Sequence, residues 1–556
     1  MKLTRRLLFK KLMPSTILSL FSISCAYANE KNKTASNSLA DPIKEKIDDV
    51  NVTISSDYLS GNELTQRDLN QEVINIKIFG AKGDYSPENG GTDNTKAFQK
   101  AANYCSQSNN RKLYLGRGNY LVTDTIKSSP FLLEGEKGST KITAKNMSEK
   151  VVFDMTLSSP DAGRIIGVVD IELIVEGNNV DCFLLGPKSS SFYFEKQLRY
   201  FIKGNYCHGT VRKEKAYGFS WDYGARKWFR IGDCIQAIIT ENCIQGTYDL
   251  QKPENGQFSD VGIELDADAA VLSARIHDNN IGPIKNALNI VNRVFFSMHD
   301  NDIIGTLDGL IWSGEQAFGE PKIHHNNFNS QRYGIYVKGA NSLSFNDNTI
   351  RRHRKGWKKS NDDWYGFRLE RISDLKISGN TVQPDESSGL FPNKKYAYYL
   401  DSCSLGTLEG NFIGVGCEEG IILRNCTGFN LSNTVTAQNE IGDILFYMTD
   451  NTRKININSY SLVSSFKGKA FEKDDSKINE IKLNSLNIQE NDNAFEIKAE
   501  KIRINDGFDL ISGSDDPQGS ISATKGSLYL RSGDNGTPSL YVKVSGSDQN
   551  GWKSIT

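Results

Sequence analysis

The sequence predicts an all-β fold, a parallel β-helix in which short strands stack coil upon coil. The first observation is a repeated tripeptide, Asn-x-apolar, which runs from Asn279-Asn280-Ile281 to Asn433-Thr434-Val435. Successive apolar positions of this tripeptide lie 22, 25, 22, 32, 31 and 22 residues apart. A βαβ unit needs about 30 residues or more, so the shorter steps suit one coil of a β-helix instead.

The second observation is a short strand that opens each coil and aligns across the repeats. Its second and fourth residues are apolar in every copy, and its third residue varies. Side chains alternate between the two faces of a strand, so the second and fourth residues should point into the coil and the third residue outward. The copies are Gly262–Leu265, Ala287–Ile290, Gly309–Trp312, Gly334–Val337, Gly366–Leu369, Ala397–Leu400 and Gly420–Leu423.

The repeated asparagine has a physical reason. Asparagine tolerates the left-handed backbone of a sharp corner, and its side-chain amide can bond to the asparagine of the next coil. We therefore expect one file of stacked asparagines, with Asn242 as a candidate earlier member. The file comprises Asn279, Asn301, Asn326, Asn348, Asn380 and Asn411.

Composition narrows the function classes. The 556 residues include 66 basic and 67 acidic ones, for a net charge of −1, so no overall positive field favours nucleic acid as a partner. Glycine (48) is plentiful and proline (13) scarce, as many tight corners in a β protein require.

The N-terminus predicts export. Residues 1–28 combine a basic start, an apolar stretch and Ala26-Tyr27-Ala28, a small-x-small cleavage site. The segment 4–10 is similar to a twin-arginine signal, although an ordinary secretory signal fits too, and Cys25 as a lipid attachment site fits less well. The apolar stretch is too short for a stable membrane span. The expected location is periplasmic or extracellular, with residues 29–71 forming a polar linker.

Residues 73–105 read as a strand, a glycine-rich turn and a helix that is capped by Thr92 or Asp93. The apolar face of this helix holds Ala97, Phe98, Ala101, Ala102 and Cys105. The stretches Phe79–Asp84 and Asp93–Gln99 resemble the entry cap of the pectate-lyase-like superfamily. That resemblance implies a right-handed, single-stranded parallel β-helix over residues 72–512, as in polysaccharide lyases, glycosidases and phage tailspikes. The helix would then cover the open end of the solenoid.

The C-terminal residues change character. Ser527–Gly533, Ser539–Val544 and Gly551–Lys553 resemble the short β module that closes many phage tailspike and tail-fibre depolymerases. The resemblance implies a small β module over residues 513–556 and, as in that family, a homotrimer.

Two long inserts locate a candidate cleft. Residues 351–359 and 383–391 lengthen two coils at the same corner, just before the opening strand. Loops that are longer than their neighbours on a rigid scaffold often carry function. In the resembling family, loops at this corner wall the substrate cleft, so the outward residues of the opening strands should form its floor.

The floor offers carboxylates on neighbouring coils. Glu370 and Asp401 occupy equivalent places about 5 Å apart, so one could act as general acid and the other as base or nucleophile. Arg368 and Tyr399 complete this candidate centre, and a lyase would use them with Lys338. The alternative is a solvated salt-bridge ladder with Arg368, Lys338 and Arg424. Further catalytic candidates are Glu315, Glu264 and Asp266.

The same surface predicts an acidic polysaccharide as substrate. Cations can bind carboxylates, and tryptophan can stack on sugar faces. The alternative for the basic insert is a solubilising loop. The predicted substrate-binding residues are Tyr336, Lys338, Arg424, Trp357, Trp364, Arg352 and Arg354.

No metal or cofactor is predicted. His277, His299 and His324 occupy equivalent positions on the second strand and could bind a metal, but a polar surface ladder explains them as well. Asp385-Glu386 could hold calcium if the protein is a lyase. Cys403 and Cys426 should stack in neighbouring coils as free core thiols, with a disulfide as the alternative.

Together these features predict an exported polysaccharide depolymerase that acts on a bacterial capsular polysaccharide or exopolysaccharide. They favour a glycosidase over a lyase, because a carboxylate pair faces the cleft. A non-catalytic carbohydrate-binding protein or adhesin is the alternative, since an aromatic and basic groove alone would suffice for it.

Overall fold

The structure is a computed structural model that forms two compact units. The first covers Met1–Thr53 and Glu63–Asn70, of which the strands Asn51–Val52 and Leu64–Thr65 are described and pair antiparallel. The second covers Ile54–Asn62 and Gln71–Thr556. Its described residues are 73–106, 112–157, 165–186, 198–215, 218–247, 261–267, 271–291, 294–313, 321–352, 363–384, 394–414, 417, 419–432, 434–437, 444–449, 452–458, 460–463, 469–473, 481–483, 486–489, 501–504, 508–531 and 539–555.

The second unit is a parallel β-helix, as predicted. Each complete coil has an opening strand, a second strand and a third strand, and each strand pairs in parallel with its counterparts in the adjacent coils. The opening strands are Val151–Met155, Val180–Leu185, Ala225–Ile231, Val261–Asp266, Asn286–Val291, Trp364–Glu370, Lys395–Asp401, Glu419–Arg424, Ile444–Thr449 and Lys469–Lys473.

The second strands form their own ladder on another side of the coil. They are Val73–Asn75, Lys112–Tyr114, Leu132–Glu134, Ile165–Val169, Arg199–Lys203, Gln236–Thr240, Val271–His277, Val294–His299, Lys322–His324, Asn341–Asn346, Ser373–Ser378, Ser404–Glu409, Thr427–Ser432, Arg453–Ile457, Ile481–Leu483 and Lys501–Ile504.

The third strands follow the repeated asparagine. In two coils the third strand runs straight into the next opening strand, giving the long strands Asp302–Ser313 and Asn327–Lys338. The remaining ones are Gly118–Val122, Thr140–Ala144, Glu172–Val175, Tyr206–Gly209, Cys243–Ile244, Asn280–Ile281, Thr349–Arg351, Thr381–Gln383, Phe412–Ile413, Thr434–Ala437, Tyr460–Val463 and Leu486–Gln489. Ile126–Lys127 pairs with Val151–Met155 in the first coils, and Arg212–Lys215 with Gly218–Trp221 forms an antiparallel hairpin.

The core follows the predicted alternation. From Ile263 to Leu423, the second and fourth residues of all seven aligned opening strands are buried. Equivalent side chains stack on each other: the rings of Phe367 and Tyr398 lie 5.0 Å apart and nearly parallel. Each coil thus shields the apolar groups of its neighbours from water.

The asparagine file is confirmed and extends further than predicted, from Asn205 to Asn411. Each buried asparagine donates its Nδ2 to the Oδ1 of the next one, as in the 2.8 Å bond from Asn301 to Asn326. The expected left-handed backbone, however, belongs to the residue before the asparagine. Asp300 and His325 have φ values of 55° and 54°, so the short loop turns there and the asparagine itself ties the coils together.

The helix Thr95–Ser106 lies at the N-terminal end of the β-helix. Its Phe98 ring meets Phe153 at 5.7 Å, and Phe153 begins a stack that continues through Phe183 to Phe229. The helix therefore covers the apolar interior of the first coils, as predicted. Asp93, one of the two predicted caps, accepts a bond from the Thr95 amide at 3.0 Å. The first bond within the helix runs from the Phe98 N–H to the Asn94 carbonyl.

The C-terminal module extends the second ladder with mixed pairing. Phe508–Gly513 pairs antiparallel with Lys501–Ile504 and parallel with Leu528–Arg531. Leu528–Arg531 then pairs antiparallel with Ser539–Lys543, and Ser539–Lys543 antiparallel with Trp552–Ser554. The module has a separate small core of Ile511, Ala523, Tyr529 and Trp552. The predicted change of character near residue 513 therefore lies close to the point where the all-parallel ladder ends.

Cys403 and Cys426 are buried thiols and are not joined by a disulfide. Each lies near a backbone carbonyl of the preceding coil, Leu369 and Leu400 respectively, at 3.5 Å. None of the helices in the described ranges is long and apolar enough to cross a membrane.

Candidate functional site

The outward residues of the opening strands form straight files, because the coils stack in register. One file runs through Tyr336, Arg368 and Tyr399. A second, two residues further along each strand, runs through Lys338, Glu370, Asp401 and Arg424. The sequence-predicted catalytic centre is thus brought together on one surface, at the coil spacing of about 4.8 Å.

A third file, which the sequence analysis missed, lies at the start of the same strands and consists of tyrosines. Stacking brings the rings of Tyr365 and Tyr396 to 4.8 Å, nearly parallel, and those of Tyr333 and Tyr365 to 5.4 Å. We call the whole patch the tyrosine–arginine platform: Tyr333, Tyr336, Tyr365, Arg368, Tyr396 and Tyr399.

Arg368 lies at the centre of the platform. Its guanidinium carbon is 5.1 to 5.7 Å from the ring centres of Tyr333, Tyr336, Tyr365 and Tyr399, within the range of cation–π attraction. It also donates to the Tyr333 hydroxyl at 3.1 Å. The charge is therefore fixed in position before any ligand arrives.

Glu370 joins the two files. It accepts a bond from Arg368 Nε at 2.8 Å and one from the Tyr336 hydroxyl at 3.4 Å, and Lys338 Nζ lies 3.8 Å away. Its side chain is only 16% exposed. Asp401 is directly beside it in register and accepts from the Ser402 hydroxyl at 2.8 Å. The predicted salt-bridge alternative is thus realised for Glu370, with Arg368 and Lys338 as partners.

Arg424 reaches back to the platform. Its NH1 group donates to the Tyr399 hydroxyl at 2.7 Å. Tyr399 is also 5.6 Å from the Arg368 guanidinium carbon, so two cations face one phenol. Tyr399 therefore lies between two guanidinium groups, one at its hydroxyl and one over its ring.

The other phenols are set up as neutral hydrogen-bonding groups. Burial and the nearby Glu370 charge raise the pKa of Tyr336. Burial raises the pKa of Tyr365 and Tyr396 as well. For Arg368, burial alone would lower the pKa, but Tyr333 and the hydrogen bond to Glu370 outweigh it and raise the value. Near neutral pH, Tyr336, Tyr365 and Tyr396 are therefore uncharged, and Arg368 is a permanent cation.

The sequence analysis missed the tyrosines at the start of the strands because it assumed that inward and outward residues alternate strictly. By that rule Tyr333 should share the inward side of Ile335, yet Ile335 is buried and Tyr333 is half-exposed. The reason is the glycine between them. A side chain at Gly334 would lie 2.4 Å from Ile350 and 2.7 Å from the Gly366 carbonyl, so Gly334 faces the interior. Gly334 and Ile335 are thus two consecutive buried positions, which breaks the alternation. The sequence signal that could have revealed this file is a tyrosine followed by a glycine or alanine at 333, 365 and 396.

The other predicted carboxylates lie elsewhere. Glu264 and Asp266 are on the same two files but four coils from Arg368 and Glu370, roughly 19 Å away. Glu264 is buried, pairs with Lys227 and accepts a 3.0 Å bond from Asn289. It is therefore a separate structural ion pair rather than part of the platform.

Two predicted substrate-binding residues are placed differently from expectation. The prediction that Trp364 stacks on a sugar is wrong, because its ring is fully buried and its Nε1 donates to the Ser330 carbonyl at 3.2 Å. Arg352 is also buried. Residues 353–359 and 385–391 of the two inserts lie outside the described residues, and so does Glu315. This part of the inserts includes Trp357, Arg354 and Asp385-Glu386.

The three histidines stack as expected on the second strands. Neighbouring rings of His277, His299 and His324 are 5.0 Å apart, with interplanar angles of 2° and 10°. Within the described part of the chain, no three His, Cys, Asp or Glu side chains converge on a point where one metal ion could sit.

Two family models match parts of the chain. Residues 73–170 match the model described as rhamnogalacturonase A/epimerase, pectate lyase-like, which confirms the resemblance seen in the N-terminal sequence. Residues 240–396 match the model described as periplasmic copper-binding protein NosD. No curated protein matches the chain.

Several solved structures are similar to this chain at low identity. The A-module of a mannuronan C-5 epimerase from Azotobacter vinelandii is 14% identical, with 75% of this chain and 100% of that chain covered, and a TM-score of 0.40. The catalytic unit of an α-1,3-glucanase from Streptomyces thermodiastaticus is 10% identical over 76% and 70%, at 0.44. The Dettilon tailspike protein is 14% identical over 70% and 66%, at 0.40. The activities of these three proteins are not carried over to this chain.

Proposed function

We propose that this chain is a carbohydrate-active enzyme that cleaves an acidic polysaccharide bound along the tyrosine–arginine platform. The observation that carries the proposal is Arg368, held among four tyrosine rings at 5.1 to 5.7 Å. Three of these tyrosines are partly exposed and Tyr365 is buried. Aromatic faces stack on the apolar faces of sugars, and a fixed guanidinium pairs with carboxylates. A structural core would need neither on its outer surface.

The spread of charge supports an extended, acidic ligand. Lys338, Arg368 and Arg424 lie on three different coils, with Lys338 and Arg424 three coils apart, or roughly 14 Å. A single small molecule would contact one or two of these cations. A polymer that carries repeated carboxylates and runs along the helix axis would contact all three.

The chemistry favours hydrolysis with retention. Glu370 and Asp401 face outward from neighbouring coils in register, which spaces their backbones by about 5 Å. Retaining glycosidases hold their two carboxyl groups about 5 to 5.5 Å apart, and inverting enzymes about 6.5 to 9.5 Å. We infer retention on the basis that the two side chains extend side by side from backbones at this spacing. Asp401 has fewer charged contacts and suits the proton-donor role, and Glu370, ion-paired to Arg368, suits the role of charged nucleophile.

The experiment is a screen of acidic and neutral polysaccharides that measures three quantities on the same sample. New reducing ends report cleavage, ultraviolet absorbance of unsaturated uronates reports elimination, and NMR of the first-formed anomer reports stereochemistry. We expect reducing ends without unsaturation, retained anomeric configuration, and preference for acidic polymers. Unsaturated products would instead assign the chemistry to Tyr399 with Arg424.

A second candidate function is binding without cleavage, and one observation favours it. Arg368 and Tyr336 already engage the oxygens of Glu370, and Lys338 lies 3.8 Å away, as expected for a purely structural ion pair. A binder would retain acidic polysaccharide in affinity electrophoresis yet release no reducing ends and no unsaturated product.

We also propose export and assembly from the termini. Residues 1–28 carry the features of an export signal, and the C-terminal module resembles those of trimeric tailspikes. N-terminal sequencing of protein from the periplasm or medium should begin after Ala28, and the protein should be a trimer in solution.

A further inference from the structure

We propose that the second strands carry a separate binding surface for an acidic polysaccharide, on which the polymer is held but not cleaved. The surface is one outward file in which an exposed cation and a hydroxyl residue alternate from coil to coil. It lies on a different sheet from the tyrosine–arginine platform, so the inference goes beyond the proposed function and does not require cleavage. We call this file the basic track; its members are Arg275, Ser297, Lys322, Ser344 and Lys376.

The track is straight because the coils stack in register. Arg275 pairs with Ser297, and Ser297 with Lys322. Lys322 pairs with Ser344, and Ser344 with Lys376. Adjacent strands are about 4.8 Å apart, so the cations repeat about every 9.6 Å. Three positive charges therefore lie on one line that spans four coil steps, roughly 19 Å.

The three cations of the track lack counter-ions. All three are exposed, and within the described ranges no hydrogen bond or ion pair engages their side chains. An earlier coil of the same ladder differs, because Lys112 there pairs with Glu134 of the next coil at 2.8 Å. In the track, serines occupy the positions between the cations at which carboxylates would neutralise them. The positive charge is thus available to an anionic partner.

A cavity of about 190 Å³ opens at the N-terminal end of the track, with Arg275 and Lys322 among its lining residues. The strand register shifts there, so that two residues, Leu272 and Ser273, lie opposite the single residue Phe295. All three line the cavity, and Leu272 is 44% exposed. The cavity therefore offers an apolar wall to the carbon–hydrogen face of one sugar unit, beside two cations that can bind its carboxylate.

An acidic polysaccharide fits the track better than other polyanions do. Guanidinium and ammonium groups bind carboxylates, and serine hydroxyls exchange hydrogen bonds with sugar hydroxyls. Sugar rings of an extended chain advance by roughly one coil each, so a carboxylate on every second sugar would meet every cation. Double-stranded DNA carries one charge per about 1.7 Å, far denser than the cations of the track. The five track residues include no carboxylate that could act as general acid or nucleophile, so the surface binds without cleaving.

The test measures binding to the full-length protein by affinity electrophoresis. The probes are polygalacturonate, with a carboxylate on every sugar, and hyaluronate, with one on every second sugar. Dextran is the neutral polymer, and double-stranded DNA is the polyanion of another class. The track variant combines Arg275→Gln, Lys322→Gln and Lys376→Gln, and thermal melting confirms that it is folded.

A matched control removes the same charge elsewhere. It combines Lys82→Gln, Lys96→Gln and Lys100→Gln, at exposed positions in and near the N-terminal helix. Arg368→Gln, which removes the central cation of the platform, is measured alone and together with the track variant. If Arg368→Gln keeps full cleavage, the proposed function fails while the track is still judged by its own variant.

We expect the track variant to bind both acidic polymers about 10- to 100-fold more weakly than the control, because each exposed cation contributes a factor of about 2 to 5 and contributions from sites this far apart add. The same loss should appear in the Arg368→Gln background, and dextran binding should not change. The inference is overturned if the wild type binds neither acidic polymer, if a folded track variant binds them as tightly as the control, or if double-stranded DNA binds the track more tightly than either polymer.

Discussion

Replacing Glu370 by glutamine tests the proposed site most directly. The change keeps the shape of the side chain but removes its charge and its ability to act as nucleophile. In the wild type, Glu370 accepts from Arg368 at 2.8 Å and has Lys338 at 3.8 Å. Glutamine can keep one neutral bond to Arg368, but its amide nitrogen would face a cation or a hydroxyl.

The cost to stability should be modest. A hydrogen bond to a charged group contributes about 1.5 to 3 kcal/mol, and an exposed ion pair about 0.2 to 1 kcal/mol. Because Glu370 is 16% exposed and one bond survives in the variant, we expect a loss of about 1 to 2 kcal/mol in the free energy of unfolding. If Glu370 is a nucleophile or base, turnover should fall by ~10²-fold or more.

The assay pairs turnover with unfolding. Glu264→Gln is the matched control, because Glu264 is also a buried, lysine-paired glutamate on an opening strand, yet lies four coils away. Both variants should lose similar stability, and only Glu370→Gln should lose turnover. Asp401→Asn should behave like Glu370→Gln. Turnover of Glu370→Gln within about twofold of the control would refute a catalytic role for this carboxylate.

Three further predictions concern stability and assembly. Asn326→Ala should lower the free energy of unfolding by at least ~3 kcal/mol, because it removes the acceptor of the buried Asn301 backbone N–H and the donor to the Met298 carbonyl and Asn348 Oδ1. Chemical denaturation measures this, and Asn327→Ala, next in sequence but partly exposed, should cost under about 1 kcal/mol. Burial alone would raise the pKa of Glu172, but hydrogen bonds from His208 and Lys141 outweigh it and lower that pKa. The ionised Glu172 therefore stabilises the fold fully above the unfolded-state pKa of about 4.5, and this stabilisation is lost as the pH falls below that value. In Glu172→Gln the melting temperature should depend less on pH in that range, and an unchanged pH profile would contradict this. Light scattering should give about three times the chain mass of 62.0 kDa, and a value near one chain would reject the trimer.

The repeated sequence pattern determined the architecture. Two features acted together: apolar residues at alternate positions of the opening strand, and an asparagine at one corner of every coil. Burial of Ile335 and Val337 and the bonds of the asparagine file follow directly from them. Individual coils before residue 240 could not be aligned from the sequence, because most of them lack the asparagine; only the family resemblance extended the predicted β-helix to them. Their apolar stacking, as in Phe153 and Phe183, forms only once the coils are superposed.

The site was determined by sequence only in part. Register between aligned strands was enough to place Glu370 beside Asp401 and Arg368 beside Tyr399. Alternation could not reveal Tyr333, Tyr365 and Tyr396, because the two residues after each of them are both buried, which breaks the period of two. Trp364 shows the reverse error: it was predicted to stack on a sugar, yet its side chain is fully buried.

Only the tertiary structure decided which charged side chains contact each other. The sequence left open whether Glu370 pairs with a second carboxylate or forms a salt bridge. In the structure Glu370 has Asp401 beside it and is also ion-paired with Arg368 and Lys338. Side-chain contacts across coils depend on the rotamer of each side chain and on small differences in distance between the coils. A repeated sequence pattern specifies neither of these. The same limit applies to the histidines: their spacing was readable from the repeat, but the Asp278 and Asp300 carboxylates that orient the rings became visible only in three dimensions.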